Sequence, residues 1–489
     1  MRKTSQLGRW LILSGMVTAF FFWLTTSTHA QAGVLEYRSD RILVKPKAGV
    51  TQTTLDNFHR EEKCGVLRTF DRLGRLQVLS VPAGQTAASL IAKYQLSGLV
   101  EFAEPDYLGQ VYNTTPDDPD YVNGMLWGLN IISAPQAWDV LTSASNIVVA
   151  VLDTGVRYTH QDLAANMWVN PVDGSHGWNA IDENNNPDDN SSPSIGHGTL
   201  VSGVLGAVGN NGVGVCGVAW QTQIMACQCF TNANGLGAIS DCITCLDFAQ
   251  TNGARIINAS WGFPTNSLAL SNAIVSLQPS NIILVAACGN NTNDLDANPN
   301  YPSGYHLPNV ISVAATRTND TLSAYSNYGA NTVQLGAPGD GIWSTWSPND
   351  SYYYSESGTS FAAPYVSGAC ALLMAQYPAD TYQQTITRVL SSTDPLPSLA
   401  GKCSTGGRLN LQKALRTILI NSLPTTNGGP LELCVSGGLN RNCVVWASTN
   451  LANWSSVFTN TSAPNGTFNF VDYSVTNSPA RFYRASANP

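Results

Sequence analysis

Residues 146–155 read Asn-Ile-Val-Val-Ala-Val-Leu-Asp-Thr-Gly. Ile147 to Leu152 form an unbroken apolar run with no polar alternation, which predicts a strand buried on both faces, as in a parallel sheet covered by helices. Asp153 is the first charged group after the run. It falls at the strand's carboxyl end, where open α/β sheets bind their ligands. Working outward, Ile224 to Phe230, Ile256 to Ser260 and Ile282 to Ala287 repeat the pattern, with helical stretches between them. The α/β fold class follows, a largely parallel sheet flanked by helices over residues 114–420.

The residues after these runs carry chemistry. Gly196-His197-Gly198-Thr199 precedes a helix of small and apolar residues. Gly358-Thr359-Ser360-Phe361-Ala362-Ala363-Pro364 opens a helix that continues through Val366 to Met374. A serine that attacks a carbonyl carbon needs a base, a group to orient that base, and donors for the oxyanion. His197 and Asp153 supply the first two. Ser360 at a helix start gains the positive end of the dipole, and its own N–H is one oxyanion donor. The Asn290 amide, after the strand ending in Ala-Ala-Cys-Gly, is the second donor, able to donate without competing for the proton. Each tripeptide alone is a common strand-to-turn sequence; their conjunction at element ends is not. His160 belongs to the turn after Asp153, and His176 lacks the Gly-Thr and helix context, so both are read as structural.

In the chain order Asp153, His197, Asn290, Ser360, the motifs resemble the subtilisin-like serine peptidases, or subtilases, over about residues 116–420. The resemblance implies hydrolysis of protein substrates through an acyl-enzyme. It also implies that Ser260-Trp261-Gly262 and Gly235-Leu236-Gly237 are the backbone segments that pair with an extended peptide, and that Asn300, before Tyr301-Pro302, gives the main specificity pocket a polar floor. Gly209-Asn-Asn-Gly-Val-Gly-Val215 resembles the family's calcium loop, with Asp162 and Asn211 as side-chain ligands of a structural Ca2+. The acidic stretch 182–189 is a second candidate, set against a plain solvated loop. Leu200, Phe361 and Tyr365 depart from the commonest family pattern, where histidine, methionine and histidine stand. The competing class is a catalytically silent binding or adhesion protein on the same fold, against which the complete set of four residues argues.

The flanks fit an exported zymogen. Arg2, Lys3 and Arg9 precede an apolar stretch, Trp10 to Leu24, and the small-residue sequence Thr28-His-Ala-Gln-Ala32. The run is shorter than the ~20 residues that cross a bilayer, so 1–32 is read as a signal peptide of a secreted, extracellular protein without a stable membrane anchor. Residues 33–113 read as a small α+β unit. It resembles the family's inhibitory propeptides in Arg41-Ile-Leu-Val-Lys-Pro-Lys-Ala-Gly49 and Val100-Glu-Phe-Ala-Glu-Pro-Asp106, which implies that the chain's own propeptide occupies the cleft until cleavage between Gln110 and Thr115. Residues 421–430 form a Pro, Thr, Asn and Gly linker. Residues 431–489 read as a small β-sandwich whose clustered aromatics, Trp446 and Trp454 among them, are read as core, with binding of a polymer or surface as the alternative.

Composition excludes one partner class. Acidic residues outnumber basic ones, 32 to 24, and no basic run lies beyond the N-terminus, so a nucleic-acid surface has no electrostatic support. A monomer acting on proteins or peptides is expected. Of the 11 cysteines, Cys64 falls in the segment to be removed, leaving an even set that suits a disulfide-permissive compartment. Cys434 and Cys443 are the expected disulfide pair. Cys227-x-Cys229 and Cys242-x-x-Cys245 have the spacing of a zinc knuckle, but disulfide or buried-thiol roles suit their strand and helix settings better.

Overall fold

The computed structural model describes residues 37–107, 114–189, 196–423, 430–438, 441–474 and 480–487. The expected signal peptide lies outside these residues, as does most of the expected cleavage window. No helix among the described residues is long and apolar enough to cross a membrane. The chain divides into two compact units, Met1–Tyr112 and Asn113–Pro489.

The N-terminal unit is a four-stranded antiparallel sheet with two helices. Strands β1 (Tyr37–Pro46), β2 (Val66–Phe70), β3 (Leu76–Ser80) and β4 (Val100–Tyr107) lie in the order β2-β3-β1-β4. Helices α1 (Gln52–Glu61) and α2 (Ala87–Leu96) start on Thr51 and Thr86, each accepting a backbone N–H on its side chain. Alternation along β1 turns Ile42 and Val44 into a core with Leu79, Leu90, Tyr94 and Val100. His59 is buried there between the Tyr94 hydroxyl at 2.7 Å and the Gln77 side chain at 2.8 Å.

The second unit begins with three short helices, α3 (Pro119–Val122), α4 (Trp127–Ile131) and α5 (Ala134–Trp138), which lead into β5 (Ser143–Asp153). Among the described residues the main sheet has nine strands. They are β5, β6 (Gly177–Asn179), β7 (Gln221–Gln228), β8 (Ile256–Ala259), β9 (Ile283–Ala287), β10 (Val310–Thr316), β11 (Leu335–Pro338), β14 (Asp394–Pro395) and β15 (Gly407–Arg408). Their order is β14-β15-β11-β10-β9-β8-β5-β7-β6, parallel throughout except for the edge pair β14/β15. The helices are α6 (His197–Gly206), α7 (Ile239–Thr251), α8 (Leu268–Val275), α9 (Thr359–Gln376), α10 (Tyr382–Ser391) and α11 (Leu411–Arg416). Strand β5 sits between β7 and β8, with every side chain from Ala150 to Asp153 buried, as an apolar run in a covered sheet requires.

Helix α9 is the axle of this unit. Apolar nearly all round, it is buried over almost its whole length, so it passes beneath the sheet rather than along its surface. A hairpin of β12 (Ile342–Trp346) and β13 (Tyr352–Glu356) leads into it. These two strands were not anticipated from the sequence.

The C-terminal module is two three-stranded antiparallel sheets. One is β16 (Leu419–Ser422), β17 (Leu431–Ser436) and β20 (Thr467–Asp472); the other is β18 (Asn442–Ser448), β19 (Ser455–Thr461) and β21 (Phe482–Ala487). Leu433, Val435, Cys443, Val445, Phe468 and Phe470 form its core. Strand β16 takes in Asn421 and Ser422, two residues expected in the linker. The expected Cys434–Cys443 disulfide is not formed. Alternation explains why: Leu433 and Val435 point into the core, so Cys434 between them faces outward, whereas Cys443 points inward with Val445. Trp446 and Trp454 lie outside the core instead and flank the Arg484 guanidinium, 5.7 and 4.5 Å from its carbon. The module docks on α10 through Arg388, wholly buried, which pairs with Asp380 at 2.6 Å and donates to the Ser436 hydroxyl at 2.7 Å.

Candidate active site

Asp153 ends β5 with its side chain buried, and His197 opens α6 facing it; His197 Nδ1 lies 2.7 Å from Asp153 Oδ1. The same oxygen accepts the Thr154 N–H at 2.8 Å. Thr154 Oγ1 in turn accepts the Gly198 N–H at 3.0 Å, so the turn after β5 holds the first residues of α6 in register with the carboxylate. Asp189 secures the arrangement by accepting the Thr199 hydroxyl at 2.9 Å. Burial disfavours the imidazolium of His197, but the charge of Asp153 and its hydrogen bond outweigh that, with Asp189 and Glu356 adding to them. The pKa is held above the ordinary 6.5. Phe361 packs against the imidazole, its ring centre 5.3 Å away.

Ser360 is the second residue of α9, and Pro364 sits four residues on. A proline has no N–H to give to the carbonyl four residues back. The Ser360 carbonyl is therefore released from the helix ladder, and it accepts the Ser260 hydroxyl at 2.7 Å. The Ser360 hydroxyl donates at 3.0 Å to the Ser260 carbonyl. Asn258 holds the Ser260 hydroxyl from behind at 2.8 Å and is itself held by Ser367 Oγ at 2.8 Å.

Asn290 follows β9. Its Oδ1 accepts both the backbone N–H and the hydroxyl of Thr359, at 2.9 and 3.0 Å. Two donors on the oxygen fix the amide's orientation and leave Nδ2 as the group that faces Gly358. The Gly289 N–H completes the chain by donating to Thr359 Oγ1 at 3.0 Å. Thr359, not singled out from the sequence, is what aims Asn290. His197, Asn290 and Ser360 line one cavity of about 270 Å³, together with Trp346 and Glu356 from the hairpin. Neither hairpin residue was anticipated.

A second cavity of about 270 Å³ joins Asp153 and His197 to Gly235, Ser260, Trp261 and Gly262, so the two expected peptide-pairing segments meet at one cleft. Trp261 is anchored by its indole N–H on the Leu152 carbonyl at 2.8 Å. Leu236 is exposed, while Gly237 passes so close to the Cys229 carbonyl that any β-carbon there would collide with it. A β-carbon on Gly262 would collide with the Asn300 amide, which therefore stands directly behind the Ser260–Gly262 segment. Asn300 also lines a polar cavity of about 440 Å³ with Asn266, Asn291, Asn293 and Asn327.

His160 and His176 stand apart from this centre. His160 Nδ1 accepts the Asp162 N–H at 3.2 Å, which leaves Nε2 to donate to the Tyr352 carbonyl at 3.0 Å. His176 Nδ1 lies 3.0 Å from the Trp168 carbonyl. Leu200 and Tyr365 are core residues.

Asp162 and Asn211 do meet. The carboxylate, wholly buried, accepts the Asn211 amide at 2.8 Å, the Val215 N–H at 2.8 Å and the Tyr353 hydroxyl at 2.9 Å. Burial raises its pKa to about 6, and the nearby Asp118 adds to the rise. No cluster of three or more His, Cys, Asp or Glu among the described residues converges on a metal centre. The donor set is nevertheless of the type a hard cation takes, because the carboxylate has no cationic partner and an amide turned about χ2 presents an oxygen of the same shape. The acidic stretch 182–189 follows an Asx-type turn in which Asn179 Oδ1 accepts the Ile181 and Asp182 N–H groups, and within it Asn184 Oδ1 accepts the Asn186 N–H at 2.9 Å.

The chain resembles known proteins in both its units. Residues 144–432 match the Subtilase family, and residues 25–106 match the Fervidolysin N-terminal prodomain. The chain is 34% identical to thermitase of Thermoactinomyces vulgaris over 302 residues, 62% of this chain and 99% of that protein. It is 38% identical over 280 residues to a thermophilic serine proteinase of Bacillus sp. (strain AK1), 57% of this chain and 64% of that protein. A solved structure of proteases from Pseudoalteromonas arctica PAMC 21717 superposes with a TM-score of 0.53 at 28% identity, covering 62% of this chain and 99% of that one. A buried aspartate on a histidine at one strand end, a serine opening a buried helix, and matches of this extent lead to one conclusion: the chain belongs to the subtilase family and is a subtilisin-type serine peptidase carrying an N-terminal prodomain.

Proposed function

We propose that the chain is a secreted endopeptidase made as an autoprocessed zymogen, with Asp153, His197 and Ser360 as its triad and Asn290 as an oxyanion donor. The observation that carries the assignment is the 2.7 Å contact of His197 with buried Asp153, beside a cavity that His197 shares with Ser360 and Asn290. A turn about χ1 of Ser360 would exchange its hydrogen bond to the Ser260 carbonyl for one to His197 Nε2. His197 then takes the proton as Ser360 attacks the scissile carbonyl, and returns it to the leaving amine. Asp153 accepts from Nδ1 throughout, keeping Nε2 basic and stabilising the imidazolium. The Ser360 N–H and Asn290 Nδ2 receive the developing oxyanion. Water then hydrolyses the acyl-enzyme by the same proton path.

Substrate is held as an added strand against Ser260–Gly262 and Gly235–Gly237. Main-chain pairing makes the cleft tolerant of sequence, and Asn300 favours side chains short enough to end at its amide. Asp162 and Asn211 would hold a structural Ca2+, which would neutralise the buried carboxylate and brace the 209–215 loop. The prodomain acts as the chain's own inhibitor until cleavage near residues 110–115. Incubation of the secreted protein with casein and a serine-directed phosphonate tests the assignment. Labelling at Ser360, casein cleavage, and loss of both together with self-processing in a Ser360→Ala variant are expected. A mature wild type that neither labels nor cleaves would sink it.

A further inference from the structure

Four cysteines outside the triad converge at one wall of the cleft. Cys227 lies in β7 and Cys229 just past its end, two residues apart and so on one face of the strand; Cys242 and Cys245 lie three apart on one face of α7. All four are wholly buried in one apolar cluster. Cys245 sits over the end of β7, its Sγ–H donating at 3.6 Å to the carbonyl of Gln228, the residue between Cys227 and Cys229. The loop after β7 turns the chain back, so α7 runs antiparallel to that strand between two parallel strands; Cys242, nearer the loop, then falls beside Cys229, and Cys245 beside Cys227. A metal does not explain the cluster, since no such group among the described residues converges on a metal centre.

We propose that Cys229–Cys242 and Cys227–Cys245 form two nested disulfides that staple the base of the 230–241 loop. The loop between them carries Phe230 and Gly235–Gly237, one wall of the peptide cleft in the reading above. The Cys229 N–H also donates to the Asp153 carbonyl at 3.0 Å, so the inner bond joins the loop directly to the strand of the candidate triad. The thiols are reduced in the structure, and each bond needs an oxidant. A disulfide donor such as oxidised glutathione suffices: a cysteine thiolate attacks it and releases one glutathione thiol, then the second cysteine displaces the other. Two protons and two electrons leave the protein per bond, and two glutathione thiols are formed. Exchange takes place while α7 is still undocked, because the folded cluster is closed to solvent.

The full chain carrying Ser360→Ala, which avoids self-digestion, is refolded with oxidised glutathione, denatured in iodoacetamide and digested without reductant. The expected result is peptides linked 229–242 and 227–245, with none of the four cysteines alkylated. Alkylation at any of them, a 229–245 link, or one zinc ion per chain would each overturn the proposal, whatever the fate of the triad assignment. In the active enzyme, Cys229→Ala/Cys242→Ala should raise KM severalfold for a peptide long enough to reach the loop, at unchanged kcat. An unchanged KM would overturn the role of the bond in shaping the cleft.

Discussion

Ser260 and Ser360 are tied reciprocally: each hydroxyl donates to the other's carbonyl, at 2.7 and 3.0 Å. The tie exists because Pro364 withholds the N–H that would otherwise claim the Ser360 carbonyl. One side of the peptide cleft and the proposed nucleophile are thereby one mechanical part. Ser260→Ala should leave that carbonyl and the Asn258 amide without partners, lowering stability by about 1–3 kcal/mol and kcat by roughly tenfold through a displaced Ser360. Pro364→Ala restores the helical N–H, so the double variant should recover part of both losses. Chemical denaturation and steady-state kinetics on the four proteins of the cycle measure the coupling, and simple additivity would refute it.

Asn290 and Thr359 should be separable by magnitude. Asn290→Leu removes the proposed oxyanion donor and should lower kcat about 10²–10³-fold with little change in KM. Thr359→Val keeps the backbone N–H on Asn290 Oδ1 but loses the hydroxyl. A loss of roughly tenfold in kcat is expected, in keeping with the one hydrogen bond to the amide, about 1–1.5 kcal/mol, while stability falls as well because the Gly289 N–H loses its acceptor. Equal losses in the two variants would mean that Thr359 does more than aim the amide.

The acid limb of the pH profile should report His197. A general base must be unprotonated, and the Asp153 charge holds this imidazolium above its ordinary pKa. kcat/KM should therefore rise with pH through a value above 6.5 and level off beyond it. Glu356 also supports the imidazolium, so Glu356→Gln should move the limb to lower pH with little change in the plateau. Asp153→Asn should move it further and cost about 10⁴-fold in kcat. A limb that stays in place in both variants would assign it to another group.

Much of this was legible before the structure, for a physical reason: a strand buried on both faces must be apolar throughout, and its functional residue must stand where the run ends. Asp153 and Asn290, the residues proposed for the site, were visible on those grounds. Ser360 and His197 were visible as helix starts. What escaped were residues whose role depends on what lies across space. Thr359 and Pro364 look like ordinary members of a helix start, and their effect appears only once Asn290 and Ser260 are opposite them. Trp346 and Glu356 lie on a hairpin whose mixture of Trp, Tyr and Ser has no clear period. The expected Cys434–Cys443 bond failed because nearness in sequence says nothing of which face of a strand a side chain takes.

Asn300 should set side-chain size at the cleft. Its amide stands where a β-carbon on Gly262 would fall, so Asn300→Gly opens space behind the Ser260–Gly262 segment. kcat/KM for peptides with a large aromatic residue before the scissile bond should rise relative to those with alanine, by about 10-fold, the worth of one or two buried methylenes. A ratio unchanged from wild type in a panel of otherwise identical peptides would remove Asn300 from the pocket.

The Asp162 loop should couple calcium to pH. A buried carboxylate with its folded pKa raised to about 6, from 3.8, contributes stability that is present below 3.8 and lost as pH rises toward about 6. The loss amounts to ~3 kcal/mol at neutral pH in a metal-free protein. A calcium ion takes the place of the missing proton, so its effect should grow over the same window. At pH 7, millimolar Ca2+ should raise Tm by several degrees over a chelator-treated sample; at pH 4 the two should melt nearly together. Asp162→Ala should abolish the difference at pH 7. Calorimetry of the Ser360→Ala chain, which cannot digest itself on unfolding, reads all three, and a calcium effect that survives in Asp162→Ala would place the ion elsewhere.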